Sequence, residues 1–166
     1  STARGLTLDD AAALARLPRV RHVSASVSGN AEVRAQGRVR RTTVLGVGPQ
    51  MQEVYSMRVR VGSFLPPDEA ASARAFVVLG AKLKRELFGT ANALGERVQI
   101  GAERFRVVGI MEEKGQFLGV DLDDAAYIPV VRGMALYKRD GVMMPALGMS
   151  YGRVVATEFV TRLNDR

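Results

Sequence analysis

The stretch FVVLGAKLKRELFG at residues 76–89 leads into ALGERVQIGAERFRVVGIMEEKG at 93–115 and GVDLDDAAYIP at 119–129. Ala75 to Leu79 is an unbroken apolar run, as expected of a strand buried on both faces. Gly80 ends it. Ala81 to Phe88 places Leu83, Leu87 and Phe88 at helical spacing and turns Lys82, Lys84, Arg85 and Glu86 to water. Gly89 follows as the residue free to take the left-handed conformation at a helix end. Arg97 to Ile100 pairs with Arg104 to Ile110 across the turn Gly101-Ala102-Glu103, with Val98 and Ile100 pointing one way. Phe105 and Val107 alternate with Arg104 and Arg106, so Phe105 reads as core. Gly109 predicts a bulge, and Pro129 puts the strand Ala125 to Val130 at a sheet edge.

Working outward, Thr7 caps a helix from Leu8 to Leu17, with Asp9 and Asp10 in its first turn and Pro18 as its stop. Val20 to Val27 alternates as a half-buried strand, and Ser28-Gly29-Asn30 predicts a turn or bulge. Ala31 to Gln36 continues extended, and Gly37 closes a hairpin into Arg38 to Val47. Gln52 to Ser56 is a short helical turn. Arg58 to Val61 is short and ambiguous. An internal boundary falls near Gly62, before the loop Gly62 to Pro67 and the polar segment Asp68 to Arg74. Past the central stretch, Gly133 to Lys138 predicts a short helix. Residues 141–155 carry no assignable pattern, and Thr157 to Leu163 reads as helical.

The chain has 166 residues, enough for one domain or two small ones, and 47% of them are hydrophobic. Lysine and arginine number 24 against 17 acidic residues, a net charge of +7. That balance favours nucleic acid, anionic lipid headgroups or an acidic partner. The basic residues are dispersed, without the run that marks a nucleic-acid tail. The absence of cysteine removes disulfides and thiol chemistry, and the single histidine, His22, removes a histidine metal cluster within one chain. No stretch reaches the roughly 18 to 20 apolar residues that span a bilayer, and Ser1 to Asp10 has no signal-peptide core. The expectation is a soluble piece of a longer protein.

Candidate chemistry is sparse. Asp121, Asp123 and Asp124 could hold a hard cation or could turn the chain into a strand, and they lack calcium-loop spacing. Glu112 and Glu113 are neighbours on an extended chain and point to opposite faces, so they make no acid–base pair. Gly80, ahead of a helix, could receive an anion. Arg34, Arg38, Arg40 and Arg41 form either a solvated hairpin tip or a binding patch. Gln116, Phe117 and Leu118 sit on a glycine-flanked loop, either as a contact for a protein partner or a lipid chain, or folded back on their own sheet. No catalytic residue, metal site or cofactor site is expected. An enzyme is therefore not expected, and the readings carried forward are a non-catalytic domain or a free-standing basic module for anionic lipid or nucleic acid.

The ordered motifs VVLG, LFG, LGERVQIG, FRVVGIMEEKG and GVDLDDAAYIP resemble the periplasmic core domain of MacB-like ABC transporter permeases. LTLDDAAALARLPRVRHVSAS resembles that domain's first helix and strand, and the stretch from Val61 to Phe64 its glycine–phenylalanine loop. The resemblance covers Leu6 to Val131. It implies an α+β fold: a porter-like α/β lobe with an inserted, mostly β lobe carrying one short helix. It implies a porter-like αββ unit at 1–61, the inserted lobe at 62–131 and a return segment at 132–166. Residues Met143 to Tyr151 match the family's returning strand–helix–strand unit poorly. The implied role is non-catalytic mechanotransmission on the periplasmic face of the inner membrane, as part of an integral membrane protein. The implied partners are its own transmembrane helices, a cytoplasmic ATPase domain or subunit and a second copy or pseudo-copy. A periplasmic adaptor protein and an outer-membrane channel are the further partners of tripartite members, and nucleic acid is not a partner.

Overall fold

The computed structural model describes residues 13–14, 16–17, 22–67, 74–117, 119–140, 143–151 and 154–159. Of the first predicted helix, Ala13 and Leu14 are helical, and most of the rest lies outside the described residues. The long first strand β1 (His22–Ala35) is followed by β2 (Arg38–Val47), α1 (Met51–Tyr55), β3 (Val59–Gly62) and β4 (Phe76–Leu79). Next come α2 (Ala81–Phe88), β5 (Arg97–Ile100), β6 (Glu103–Met111), β7 (Gln116–Phe117) and β8 (Val120–Asp121). The described chain closes with β9 (Ala125–Pro129), α3 (Val130–Asp140), β10 (Met143–Tyr151) and β11 (Val154–Phe159).

Four expectations are corrected. β1 runs straight through Ser28, Gly29 and Asn30, which pair with Leu45, Val44 and Thr43. Ser28 and Gly29 also face Met144 and Met143 on β10, so ladder bonds on both sides override the local turn tendency. The chain reverses only at Gln36 and Gly37, whose φ values of 55° and 71° suit a two-residue hairpin. β9 is central, parallel to β2 and antiparallel to β4, although it ends in Pro129. The β4 ladder reaches only Ala126 and Tyr127, and α3 begins at Val130, so the missing N–H of Pro129 costs little. Thr157 to Phe159 belongs to β11, paired with β10, and the rest of the predicted final helix lies outside the described residues. Its β-branched neighbours Val154 and Val155 join the same ladder. Finally, the short helix predicted at Gly133 to Lys138 extends over Val130–Asp140, and β10 follows it in the stretch that carried no assignable pattern.

The strands follow the order β11-β10-β1-β2-β9-β4-β6-β3, and β5 pairs with both β6 and β1. The path β1–β2–β9–β4–β6–β5 therefore returns to β1 and closes a hydrogen-bonded circuit. One core lies on the side of Val33, Val44, Leu79, Val98, Ile100, Phe105, Val107 and Ile128. α2 covers it with Leu83, Leu87 and Phe88, and α3 with Leu136. A second core lies on the other face, where Leu45, Val47, Val78 and Tyr127 meet Met51, Phe64 and Leu65. β4 feeds both cores through alternate residues, which explains its unbroken apolar run.

β6 changes phase partway. Val77 pairs with Val107 and Val78 with Gly109, so Val108 is an extra residue. The bulge puts Ile110 in the same core as Phe105 and Val107 and sends Met111 to the other. A Cβ on Gly109 would collide with the Ser63 carbonyl oxygen, so only glycine fits beside the bulge. The predicted boundary at 61/62 falls inside β3, and β2 and β9, from either side of it, are hydrogen-bonded.

Candidate partner-facing site

The loop Glu112–Asp124 folds over one end of the circuit, and its three aspartates serve three local tasks. The Asp123 carboxylate accepts the backbone N–H groups of Lys114 at 2.7 Å and Gly115 at 2.9 Å. The Asp123 carbonyl accepts Lys82 N–H at 3.0 Å and Leu83 N–H at 3.1 Å. These are orphan donors of the first turn of α2, so the place suggested for a bound anion is filled by the chain's own backbone. A Cβ on Gly80 would overlap that same carbonyl, which makes Gly80 the residue that lets the loop approach. Asp121 Oδ1 accepts Asp123 N–H at 3.0 Å and Asp124 N–H at 3.3 Å, an Asx turn. Below the loop, the buried Tyr127 hydroxyl donates to the Leu122 carbonyl at 2.5 Å. Burial first, then Asp123 and Asp121, raise the Tyr127 pKa above its ordinary range, so the phenol stays a donor.

Asp124 joins this loop to the β1–β2 hairpin. Arg40 donates Nε to Oδ1 at 3.0 Å and Nη2 to Oδ2 at 2.7 Å, a forked pair. The buried Thr42 hydroxyl lies 2.6 Å from both the Asp124 carbonyl oxygen and Oδ1 and donates to one of them. The Arg40 hydrogen bonds, aided by Thr42, outweigh desolvation and hold the Asp124 carboxyl below the usual carboxylate value. Arg40 also reaches Glu86 on α2 at 3.3 Å. The three carboxylates are thus directed at different partners, and among the described residues no group of three His, Cys, Asp or Glu side chains is placed to hold a metal ion.

The predicted contact residues lie on the small β7–β8 hairpin. Gln116 is exposed and pairs with Asp121. Phe117 is half-buried, and its ring meets that of Tyr55 edge-on, with centroids 5.1 Å apart. Leu118 lies outside the described residues. Phe117, Val120 and Leu122 form one wall of a narrow apolar groove, about 40 Å³, whose other wall includes Leu45, Met51 and Tyr55. Phe117 thus rests on the body of the domain, while Gln116 faces outward.

The hairpin arginines separate. Arg38 donates to the Glu86 carbonyl at 3.1 Å and Arg40 to Asp124, both toward α2. Arg34 and Arg41 are exposed, and each is one residue out of phase with the helix-facing pair. Strand alternation carries this split, but the neighbouring basic strands β5 and β6 come from sixty residues further along the chain.

The family profile of the MacB-like periplasmic core domain matches residues 1–162. The chain is 31% identical over 130 residues to the macrolide export ATP-binding/permease protein MacB of Bdellovibrio bacteriovorus, covering 78% of this chain and 20% of that protein. It is 35% identical over 126 residues to the pyoverdine export ATP-binding/permease protein PvdT of Pseudomonas fluorescens, covering 75% and 19%. The chain therefore spans about a fifth of the length of these curated relatives. Among solved structures, the periplasmic region of MacB from Actinobacillus actinomycetemcomitans superposes with a TM-score of 0.74 at 19% identity, covering 93% of this chain and 68% of that one. The extracellular domain of the noncanonic ABC-type transporter YknZ from Gram-positive bacteria gives 0.70 at 20% identity, covering 90% and 74%. These two likenesses show the fold.

Proposed function

We propose a function from one premise: the chain belongs to the MacB-like periplasmic core domain family. It is a non-catalytic, extracytoplasmic domain of that kind of ABC transporter permease. Our reading is that it couples ATP-driven motion to substrate export or partner engagement. The closed circuit of strands carries this reading. A ring of hydrogen-bonded strands, filled on one side by a packed core, resists shear, so a push at one point is delivered elsewhere with little loss.

Relatives named as ATP-binding/permease proteins support a place beside transmembrane helices and a cytoplasmic ATPase domain or subunit, in a dimer or pseudo-dimer. Their names carry two different cargoes, a macrolide and pyoverdine, at similar identity to this chain. We read the domain as serving export as such, not one cargo. Among the described residues no helix is long and apolar enough to cross a membrane, so these membrane partners belong to sequence outside the described elements.

Gln116, Phe117 and Leu118 are the proposed contact for a partner such as a periplasmic adaptor bound to an outer-membrane channel. The support is the outward-facing Gln116 on a loop braced by Asp121, Asp123 and Tyr127. The test is made in the complete permease. Gln116→Arg is expected to preserve the domain's melting temperature, lower adaptor capture and lower export while basal ATP hydrolysis continues. Unchanged capture and export would remove this loop from the interface. ATP hydrolysis that export follows equally well after deletion of the whole domain would sink the coupling role.

A further inference from the structure

The arginines left exposed by the hairpin have company. Arg34 on β1 pairs laterally with Gln99 on β5, and Gln99 pairs with Arg104 on β6. Cross-strand partners share a face, so Arg34, Gln99 and Arg104 stand in one row across three strands. Arg97 lies two residues from Gln99 on the same face and pairs with Arg106. On the opposite face of these strands Val33, Val98, Ile100 and Phe105 enter the core, so the arginines cannot turn inward. Between the two hairpins is an open concavity of about 300 Å³, lined by Arg34, Arg38, Arg97, Arg104, Gln99 and Val39.

Its charge is only partly met. Glu32 holds Arg34 at 2.8 Å, and Arg38 donates to the Glu86 carbonyl. Glu96 is reached by Gln36 at 3.4 Å at the edge of the same hairpin tip. No hydrogen bond or ion pair joins the guanidinium of Arg97 or Arg104 to any described residue, and none restrains the side chain of Arg106 or Arg41. The strands beneath fix the Cα positions, so the guanidinium groups are brought together before a ligand arrives. Protein interfaces use aromatic anchors at their centre, whereas this lining holds no aromatic ring and offers only Ala35 and Val39 as apolar side chains. Guanidinium forks match the oxygen geometry of phosphate bidentately.

We propose that this concavity binds a phosphate-class anion with two linked or adjacent phosphoryl groups, carried by a soluble compound or by a lipid headgroup. Binding depends on Arg97 and Arg104 as unpaired cations, with Arg34 as the third wall.

The experiment is calorimetric titration of the chain with inorganic pyrophosphate at low ionic strength, comparing Arg97→Gln/Arg104→Gln with the control Arg58→Gln/Arg60→Gln at β3, which pairs with the end of β6 away from Arg104 and does not line the concavity. One-to-one saturable binding is expected, weakened about tenfold or more in the first variant and within about twofold of wild type in the control. Thermal melts of both variants confirm that each is folded, and Arg97→Lys/Arg104→Lys, which keeps charge but loses the fork, is expected to fall between them. Co-sedimentation with phosphatidylcholine vesicles containing phosphatidic acid separates the sources. Vesicle binding that pyrophosphate displaces and Arg97→Gln/Arg104→Gln removes assigns a headgroup; pyrophosphate binding alone assigns a soluble compound. Absence of saturable pyrophosphate binding, or equal loss in both glutamine variants, overturns the site.

Discussion

At the residue scale, Gly80 joins the sheet, α2 and the aspartate loop at one point. Its Cβ position is already taken by the Asp123 carbonyl, with the Leu122 carbonyl 2.8 Å away. Gly80→Ala is expected to destabilise by about 3 kcal/mol through forced backbone movement, lowering Tm by roughly 6 to 12 °C in a scanning calorimeter. Tyr127→Phe removes the donor to the Leu122 carbonyl without changing the ring, and is expected to cost about 1 to 2 kcal/mol. Asp124 gives a pH signature. Its carboxyl is held below the usual value by Arg40, so the unfolded chain binds this proton more readily than the folded one. The stabilisation is complete above the usual carboxylate value of about 4 and is lost as pH falls through it toward the folded value. Asp124→Asn is therefore expected to lower Tm at neutral pH and to flatten the acid limb of Tm against pH. An acid limb identical to that of wild type would place this titration elsewhere.

At the element scale, the β7–β8 hairpin is held by Tyr55 through Phe117 and by the Asp123 and Tyr127 hydrogen bonds. Half-burial of Phe117 predicts that Phe117→Ser costs about 1 to 2 kcal/mol, visible in chemical denaturation, while Gln116→Arg is close to neutral. Equal, negligible effects would show that the Tyr55 contact contributes nothing. The β5–β6 hairpin and α2 were legible as sequence because their alternation and helical spacing are local, and α2 occupies the predicted span. The turn proved tighter, since Glu103 pairs with Ile100 and only Gly101 and Ala102 reverse the chain. β10 and β11 were not legible. Their ladders depend on the edge that β1 offers, and no local pattern encodes a distant edge.

At the scale of the whole molecule, the circuit predicts cooperative behaviour. Amides of β2 and β9 are expected to exchange with solvent together in one global opening, despite the eighty residues of chain between their ladders. Two separate unfolding transitions, with 1–61 and 62–131 melting apart, would show that the inserted segment is an independent lobe. The candidate site was partly legible. Gln116 and Phe117 could be picked out as a loop tip, but the tether of Phe117 to Tyr55 comes from α1, far away in sequence. The acidic triplet left a cation or a chain-turning role open, because spacing alone hides where each carboxylate is directed.

The sequence by itself determined the strands and helices whose periodicity is local, the sign of the charge, the absence of thiol chemistry and the family. The tertiary structure alone decided that Pro129 ends a central strand, that β5 closes the circuit, and that Arg97 and Arg104 face Arg34. The reason is physical. Periodicity depends on neighbours within a few residues, whereas strand pairing and charge convergence depend on which distant backbone supplies the remaining hydrogen bonds.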